Sequence, residues 1–139
     1  MADTFQLQVA TPERLFVDEQ VSEAQVPGKD GYMGILAGHA PLLSALGAGV
    51  LTFSGGGSSS GVLAIDGGFV EVMDNHVRVL ADHAEFARDI NVAGARKQLE
   101  EAERALREAH EKADTEAALR SLQQAQARIE AAGRGSGSH

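Results

Sequence analysis

Between residues 4 and 84 apolar and polar residues alternate over short stretches broken by turn signals, a pattern of many short strands. Phe5, Leu7 and Val9 alternate with Gln6 and Gln8, which buries one face of a strand. Val21, Glu23 and Gln25 interleave with Ser22, Ala24 and Val26 in the same manner. The clearest hairpin runs Gly68–Asp74 and then His76–Ala81. With Asp74-Asn75 as a two-residue turn, Val72 faces Val77, Val70 faces Val79, and Glu71 faces Arg78. One face is then apolar and the other carries a cross-strand ion pair. A longer hairpin joins Val50–Ser54 to Val62–Asp66 through the loop Gly55–Gly61, whose glycines and serines have nothing to pack and should be mobile. The elements together predict a β-sandwich or barrel.

From Asp89 onward the period changes. Val92, Ala95, Leu99, Ala102, Leu106 and Ala109 recur at steps of three and four, an apolar helical stripe that Asp89 or Asn91 can cap. The run 110–114 interrupts it. Asp114 or Thr115 then caps a second helix with Leu119, Leu122, Ala125, Gln126 and Ile129 on one face, ended by Gly133. So short a connection makes the helices antiparallel neighbours. The predicted class is α+β: a β domain over residues 1–86, a helical hairpin over 89–132, and a flexible tail over 133–139. The hairpin has few large aliphatic residues and twelve alanines between Ala93 and Ala132. It should be held only marginally by itself and depend on docking, against the sandwich or another protein.

Charge changes at the same boundary. Of the net −8, residues 1–88 carry −7, with 11 acids against 4 bases, while residues 89–139 carry −1, with 9 against 8. An acidic first part argues against nucleic acid as a partner. The absence of cysteine excludes disulfides, thiolate metal sites and thiol catalysis. No apolar run approaches the ~20 residues of a membrane-spanning helix, and the first residues show no basic-then-apolar leader. The expectation is a soluble protein on the cytoplasmic side.

Candidate chemistry is sparse. The five histidines lack H-x-H or H-x-x-x-H spacing. His39 has no nucleophile elbow near it, and Ser58–Ser60 sit in a loop too floppy for preorganised catalysis. Gly28, Gly31 and Gly34 do not match a phosphate-binding fingerprint, which opens a helix after a strand. No catalytic residue, cofactor or metal is expected. Tyr32 and Met33 stand in the middle of a glycine-rich loop, where a purely structural turn favours polar residues, and so form a candidate protein-contact tip, with burial of Met33 as the alternative. On the helices, Glu100–Arg104 and Glu103–Arg107 fit i,i+4 pairs. After Ala117 the bases Arg120, Arg128 and Arg134 outnumber Glu130, which favours an acidic protein surface.

The stretch Val26–Leu46 carries a resemblance. Its Gly28, Gly31, Gly34, Ile35, Leu36, Gly38, His39, Pro41, Leu42 and Leu43 match the pattern G-x-x-G-x-x-G-I-L-P-G-H-x-P-L-L of the ε subunit of F-type ATP synthases, with Ala37 in place of the proline. Residues 64–82 resemble that family's S-G-G-x-x-E-V-x-x-N-x-V-x-V-L-A-D, and Asp89-Ile90-Asn91-Val92 resembles the start of its first C-terminal helix.

The resemblance implies a flattened β-sandwich followed by two antiparallel helices, in a non-catalytic subunit of the rotor's central stalk on the cytoplasmic face of the inner membrane. The sandwich is expected to bind γ through positions matching Thr11, His39 and Ser44, and to meet the c-ring through Asp30, Gly31, Tyr32 and Met33, coupling proton flow to rotation. Tyr32 stands where an acidic residue is common. The hairpin is expected to extend along γ into the α/β catalytic ring and block hydrolysis, with Arg120 and Arg128 opposing acidic tips. The I-D-x-x-R-A pattern through which some members bind ATP is broken here at Asn91 and Gly94, which removes the charge-assisted phosphate donor. The alternative is a stand-alone adaptor with a ligand-binding sandwich and an oligomerising hairpin; a hydrolase using His39 is a third.

Overall fold

A computed structural model describes residues 3–56 and 60–137. Among these, eight strands form a β-sandwich: β1 (Phe5–Thr11), β2 (Arg14–Val21), β3 (Glu23–Gly28), β4 (Gly31–Leu36), β5 (Leu42–Ala45), β6 (Ala48–Ser54), β7 (Ser60–Met73) and β8 (His76–Phe86). A 3₁₀ turn at Ala87–Asp89 leads to α1 (Val92–Glu108) and α2 (Lys112–Gly137). The strand order is β2-β1-β8-β7-β6-β3-β4, with β5 also on β7. The first strand lies parallel to the last, and the other pairs are antiparallel.

Two long strands, β7 and β8, make a sandwich of this sheet. On β7 the residues facing the main core are Leu63 and Ile65 before Gly67-Gly68, but Val70 and Val72 after it. The inward phase therefore flips at the two glycines, whose φ angles of 71° and 98° turn the strand out of its plane. The early half of β7 pairs with β6, and the later half with β5. One layer thus holds β5, late β7, early β8, β1 and β2; the other holds β4, β3, β6, early β7 and late β8. Between them lies a core of Phe5, Leu7, Val9, Ile35, Leu51, Leu63 and their neighbours.

The two layers differ on their outer faces. Over the second layer, Val50 and Ala64 form a separate cluster with Ile90, Ala95 and Ala131, so the helical hairpin docks there. On the first layer, the outward positions Leu43, Phe69, Leu80 and Leu15 are 70%, 57%, 52% and 55% exposed. Among the described residues no helix is long and apolar enough to cross a membrane.

The β7–β8 turn follows the sequence reading. Val70 pairs with Val79, Glu71 with Arg78 and Val72 with Val77. Asp74 and Asn75 have φ of 51° and 62°, the double positive φ of a type I′ turn. Arg78 and Glu71 lie 3.7 Å apart. Several expectations need correction. Residues 60–73 form one strand rather than two, because the glycine pair bends the chain without ending it. The alternation at 21–26 changes phase at Ser22: Val21, Ala24 and Val26 are buried while Glu23 and Gln25 are exposed. Of the predicted mobile loop, Ser60 and Gly61 belong to β7, Gly55 and Gly56 lie close against Ser22 and Gln20, and residues 57–59 lie outside the described residues.

The helices also depart from the reading. The second begins at Lys112, ahead of its expected caps; Thr115 instead bonds back to the Glu111 carbonyl through both its N–H and its hydroxyl. It runs through Gly133 to Gly137, so residues 133–137 of the expected flexible tail are helical. Gly135 lies so close to the 3₁₀ turn that a Cβ there would stand 2.6 Å from the Cβ of Ala87. Val92, Leu119 and Gln126 are exposed, whereas Ala95, Ala102, Ala118, Ala125, Ala127 and Ala131 are buried. The buried seam consists of alanines: Ala127 and Ala131 let α2 approach the sandwich, while Ala102 and Ala118 lie between the two helices and let them approach each other. Among the described residues the i,i+4 ion pairs are Lys112–Glu116 and Glu130–Arg134, not the two expected on α1.

Candidate functional site: two faces and a strand tip

The glycine-rich stretch is less of a loop than its composition suggests. Residues 31–36 form β4, paired with β3 in the register Val26–Met33, Pro27–Tyr32 and Gly28–Gly31. The hairpin tip is therefore Lys29-Asp30, and Tyr32 and Met33 stand on the strand behind it. Met33 is half-buried and packs on the main core. Tyr32 is 48% exposed, yet its hydroxyl accepts the Val50 N–H at 2.9 Å. That N–H needs a side-chain partner because β3 pairs with β6 only from Thr52 to Ser54. The missing side chain at Gly49 makes the reach possible; a Cβ there would lie 2.7 Å from the Tyr32 hydroxyl and 2.7 Å from the Pro27 Cβ. Asp30 and Gly31 are exposed, and Lys29 N–H donates to the Ala45 carbonyl, which moors the tip to β5.

The turn after β4 explains its motif. His39 N–H donates to the Leu36 carbonyl at 3.2 Å, and Gly38 has φ of 82°, which makes residues 36–39 a type II turn with glycine at its third position. Ala37 occupies the second position, which proline suits. His39 is half-buried, and its Nδ1 lies 2.7 Å from the Ala40 carbonyl. Asn75 secures the turn from across the layer. Its Oδ1 accepts from Gly38 N–H at 2.8 Å, its Nδ2 donates to the Thr4 carbonyl at 2.6 Å, and its own carbonyl accepts from Gln6 N–H at 3.1 Å. One side chain thus joins three segments distant in sequence.

Thr11, His39 and Ser44 all belong to the first layer but are not neighbours. Thr11 ends β1, opposite Arg14; His39 sits by Asn75 at the other end of that strand; Ser44 pairs with the buried Val70, in the row of the core-facing Leu42. What lies among them is the outward apolar row. Phe69 pairs with Leu80, Leu80 with Ala10, and Ala10 with Leu15. A bulge between Val9 and Ala10 sets Leu15 in this row and leaves Phe16 unpaired. Phe16 turns to Phe86, with ring centroids 5.5 Å apart, and Arg14 and Arg88 lie over the rings. Sequence reasoning missed this row, although the alternation held the signal: with Val70 and Val72 inside, Phe69 had to be outside.

The two candidate arginines have different surroundings. Arg120 is exposed on α2. Arg128 faces the sandwich, where its Nε donates to Glu85 Oε1 at 2.9 Å, its second guanidinium nitrogen reaches Glu85 Oε2 at 3.4 Å, and the third donates to Gln98 Oε1 at 3.2 Å. Gln98 in turn donates to Gln124 Oε1 at 2.9 Å, and Gln124 to Asp66 Oδ2 at 3.2 Å. Asn91 caps α1, its Oδ1 accepting from Gly94 N–H at 2.9 Å. The two positions that break the nucleotide-binding pattern are therefore joined as cap and capped group. Among the described residues no group of three or more His, Asp or Glu could hold a metal.

Comparison with known proteins agrees with this geometry. Residues 4–87 match the family model of the ATP synthase delta/epsilon chain β-sandwich domain. The ATP synthase epsilon chain of Solibacter usitatus is 47% identical over 129 residues, covering 93% of this chain and 96% of that one. That of Nitratidesulfovibrio vulgaris is 41% identical over 133 residues, covering 96% and 98%. Among solved structures, a chain of the Euglena gracilis mitochondrial ATP synthase, determined as OSCP/F1/c-ring, superposes with a TM-score of 0.80 at 25% identity, over 95% of this chain and 82% of that one. A chain from the central stalk and c-ring of the Tetrahymena thermophila mitochondrial ATP synthase shares the fold, with a TM-score of 0.71 at 16% identity over 91% and 95%. In sequence, in the bent two-layer sandwich and in the appended helical hairpin, this chain belongs to the ATP synthase epsilon-chain family.

Proposed function

We propose that the chain is a non-catalytic rotor subunit of the central stalk, at the cytoplasmic face of the membrane, with a separate task for each face of its sandwich. The open apolar row of the first layer receives γ, with Thr11, His39 and the edge strand that carries Ser44 at its margins. The moored tip Lys29-Asp30, backed by Gly31, Tyr32 and Met33, meets the c-ring and passes its rotation to γ. The hairpin on the second layer is the regulatory arm, which inhibits ATP hydrolysis when it extends into the α/β ring and brings Arg120 and Arg128 to acidic surfaces there. The observation that carries this reading is the contrast between the faces: one apolar and uncovered, the other covered by a seam of alanines and a few polar bonds. Apolar surface of that extent on a small domain favours a permanent partner, while an alanine seam buries little area per residue.

Removing residues 89–139 tests the division. The shortened chain is expected to retain γ in co-purification, and the complex carrying it to hydrolyse ATP faster. Loss of γ binding would overturn the separation of tasks, and an unchanged hydrolysis rate would overturn inhibition. The adaptor reading has no support beyond the sequence; sedimentation of the free chain as a stable oligomer would favour it.

A further inference from the structure

We propose that Arg128 has two mutually exclusive partners, Glu85 when the hairpin is docked and an acidic protein surface when it is extended, so that Glu85 sets how readily the arm is released. This inference rests on the reading of α2 as the inhibitory arm. It begins from the donors of one side chain. A guanidinium has five N–H donors in a rigid fork. In the docked hairpin both edges of that fork are engaged, Nε and one terminal nitrogen by the Glu85 carboxylate and the other terminal nitrogen by Gln98. The Arg128 side chain is 22% exposed and that of Glu85 33%. A second carboxylate cannot take the same fork while this one holds it.

The surroundings suit the pair to act as a latch. The seam beside it is alanine, with Ala127 and Ala131 buried against the sandwich. Alanine contacts are smooth and give little positional preference along the helix. Directional contacts from hairpin to sandwich include Arg128 to Glu85 on β8 and Gln124 to Asp66 on β7. Gln98 of α1 bonds to both Gln124 and Arg128, so each helix feels the loss of either bond. Removing the Glu85 charge leaves a partly buried cation without its counter-charge, a cost borne only by the docked form. Removing Arg128 loosens docking too, but also deprives the extended arm of its cation.

The two substitutions should therefore act alike on docking and oppositely on inhibition. In the isolated full-length chain, Glu85→Gln and Arg128→Gln are each expected to raise amide hydrogen exchange in α2 by roughly tenfold, as for loss of a charge-assisted pair, with the strands unaffected. In ATP synthase reassembled with each variant, Glu85→Gln should lower the hydrolysis rate several-fold below that with wild type, and Arg128→Gln should raise it. Wild-type exchange in α2 of Glu85→Gln, or a hydrolysis rate moved in the same direction by both variants, would overturn the latch. Adding the wild-type chain to complex lacking it separates the two readings. If that addition does not slow hydrolysis, the inhibitory reading fails and the exclusivity with it, while increased exchange in both variants would still establish the Glu85 contact.

Discussion

At the scale of single residues, this molecule places small polar groups where separate segments must be joined. Asn75 supplies both the positive φ that the β7–β8 turn needs and hydrogen bonds to the Gly38 and Thr4 backbones. Asn75→Ala should destabilise the sandwich by about 2 kcal/mol, combining two lost bonds with an unfavourable φ, while Asn75→Gly, which keeps the turn, should cost less. Urea unfolding of the three proteins measures the difference; equal costs would show that the positive φ contributes nothing, and an Asn75→Gly as stable as wild type would show that the side-chain bonds contribute nothing. Tyr32 is the second case. Tyr32→Phe leaves the Val50 N–H without its partner and should cost about 1–3 kcal/mol, and since Val50 also floors the hairpin, exchange at its own amide should rise first. Ala37 is the third, with the opposite sign. At the second position of a type II turn, Ala37→Pro should raise stability by about 0.4–1 kcal/mol by narrowing the unfolded ensemble. A thermal melt checks it, and a lowered midpoint would show that the Ala37 N–H is needed.

Among the elements, α2 is the one on whose attachment the proposed regulation turns. Among the described residues its buried ones are Ala118, Ala125, Ala127 and Ala131, and Ala131 is fully enclosed against Val50 and Ala64. A larger side chain there has no space. Ala131→Leu should therefore cost about 1–3 kcal/mol of docking through overpacking, and the hairpin should detach while the strands keep their protection. A uniform loss of protection across strands and helices would instead mean that hairpin and sandwich unfold as one unit. The Glu71–Arg78 pair makes a useful contrast. It was foreseeable and is present, but with both side chains well exposed it contributes little to either element.

For the whole molecule, the arrangement is a slab with one covered and one open face. The open row of Leu15, Phe69 and Leu80 is costly to leave in water, so it predicts what binds there. Phe69→Asp with Leu80→Asp should leave the free chain folded, since both residues already face solvent, yet reduce γ co-purification at least tenfold by burying charge in an apolar contact. Unchanged γ recovery would place the interface elsewhere on the chain.

Local pattern determined much of this. Alternation at Phe5–Val9, the register of the Asp74-Asn75 hairpin, the change of period near Asp89 and the helical stripe all follow from interactions between residues close in sequence, which the chain states directly. The glycine-rich motif likewise reported a turn and a resemblance. What only the tertiary structure decided depends on segments far apart. That Gly67-Gly68 bends one strand through two layers, that Tyr32 caps Val50, and that α2 continues past Gly133 are settled by neighbours on other strands. The same holds for the candidate sites. Arg128 could be recognised from sequence as a surplus cation, but its bond to Glu85 spans 43 residues, and no period or propensity encodes a contact made only once both elements are folded and pressed together.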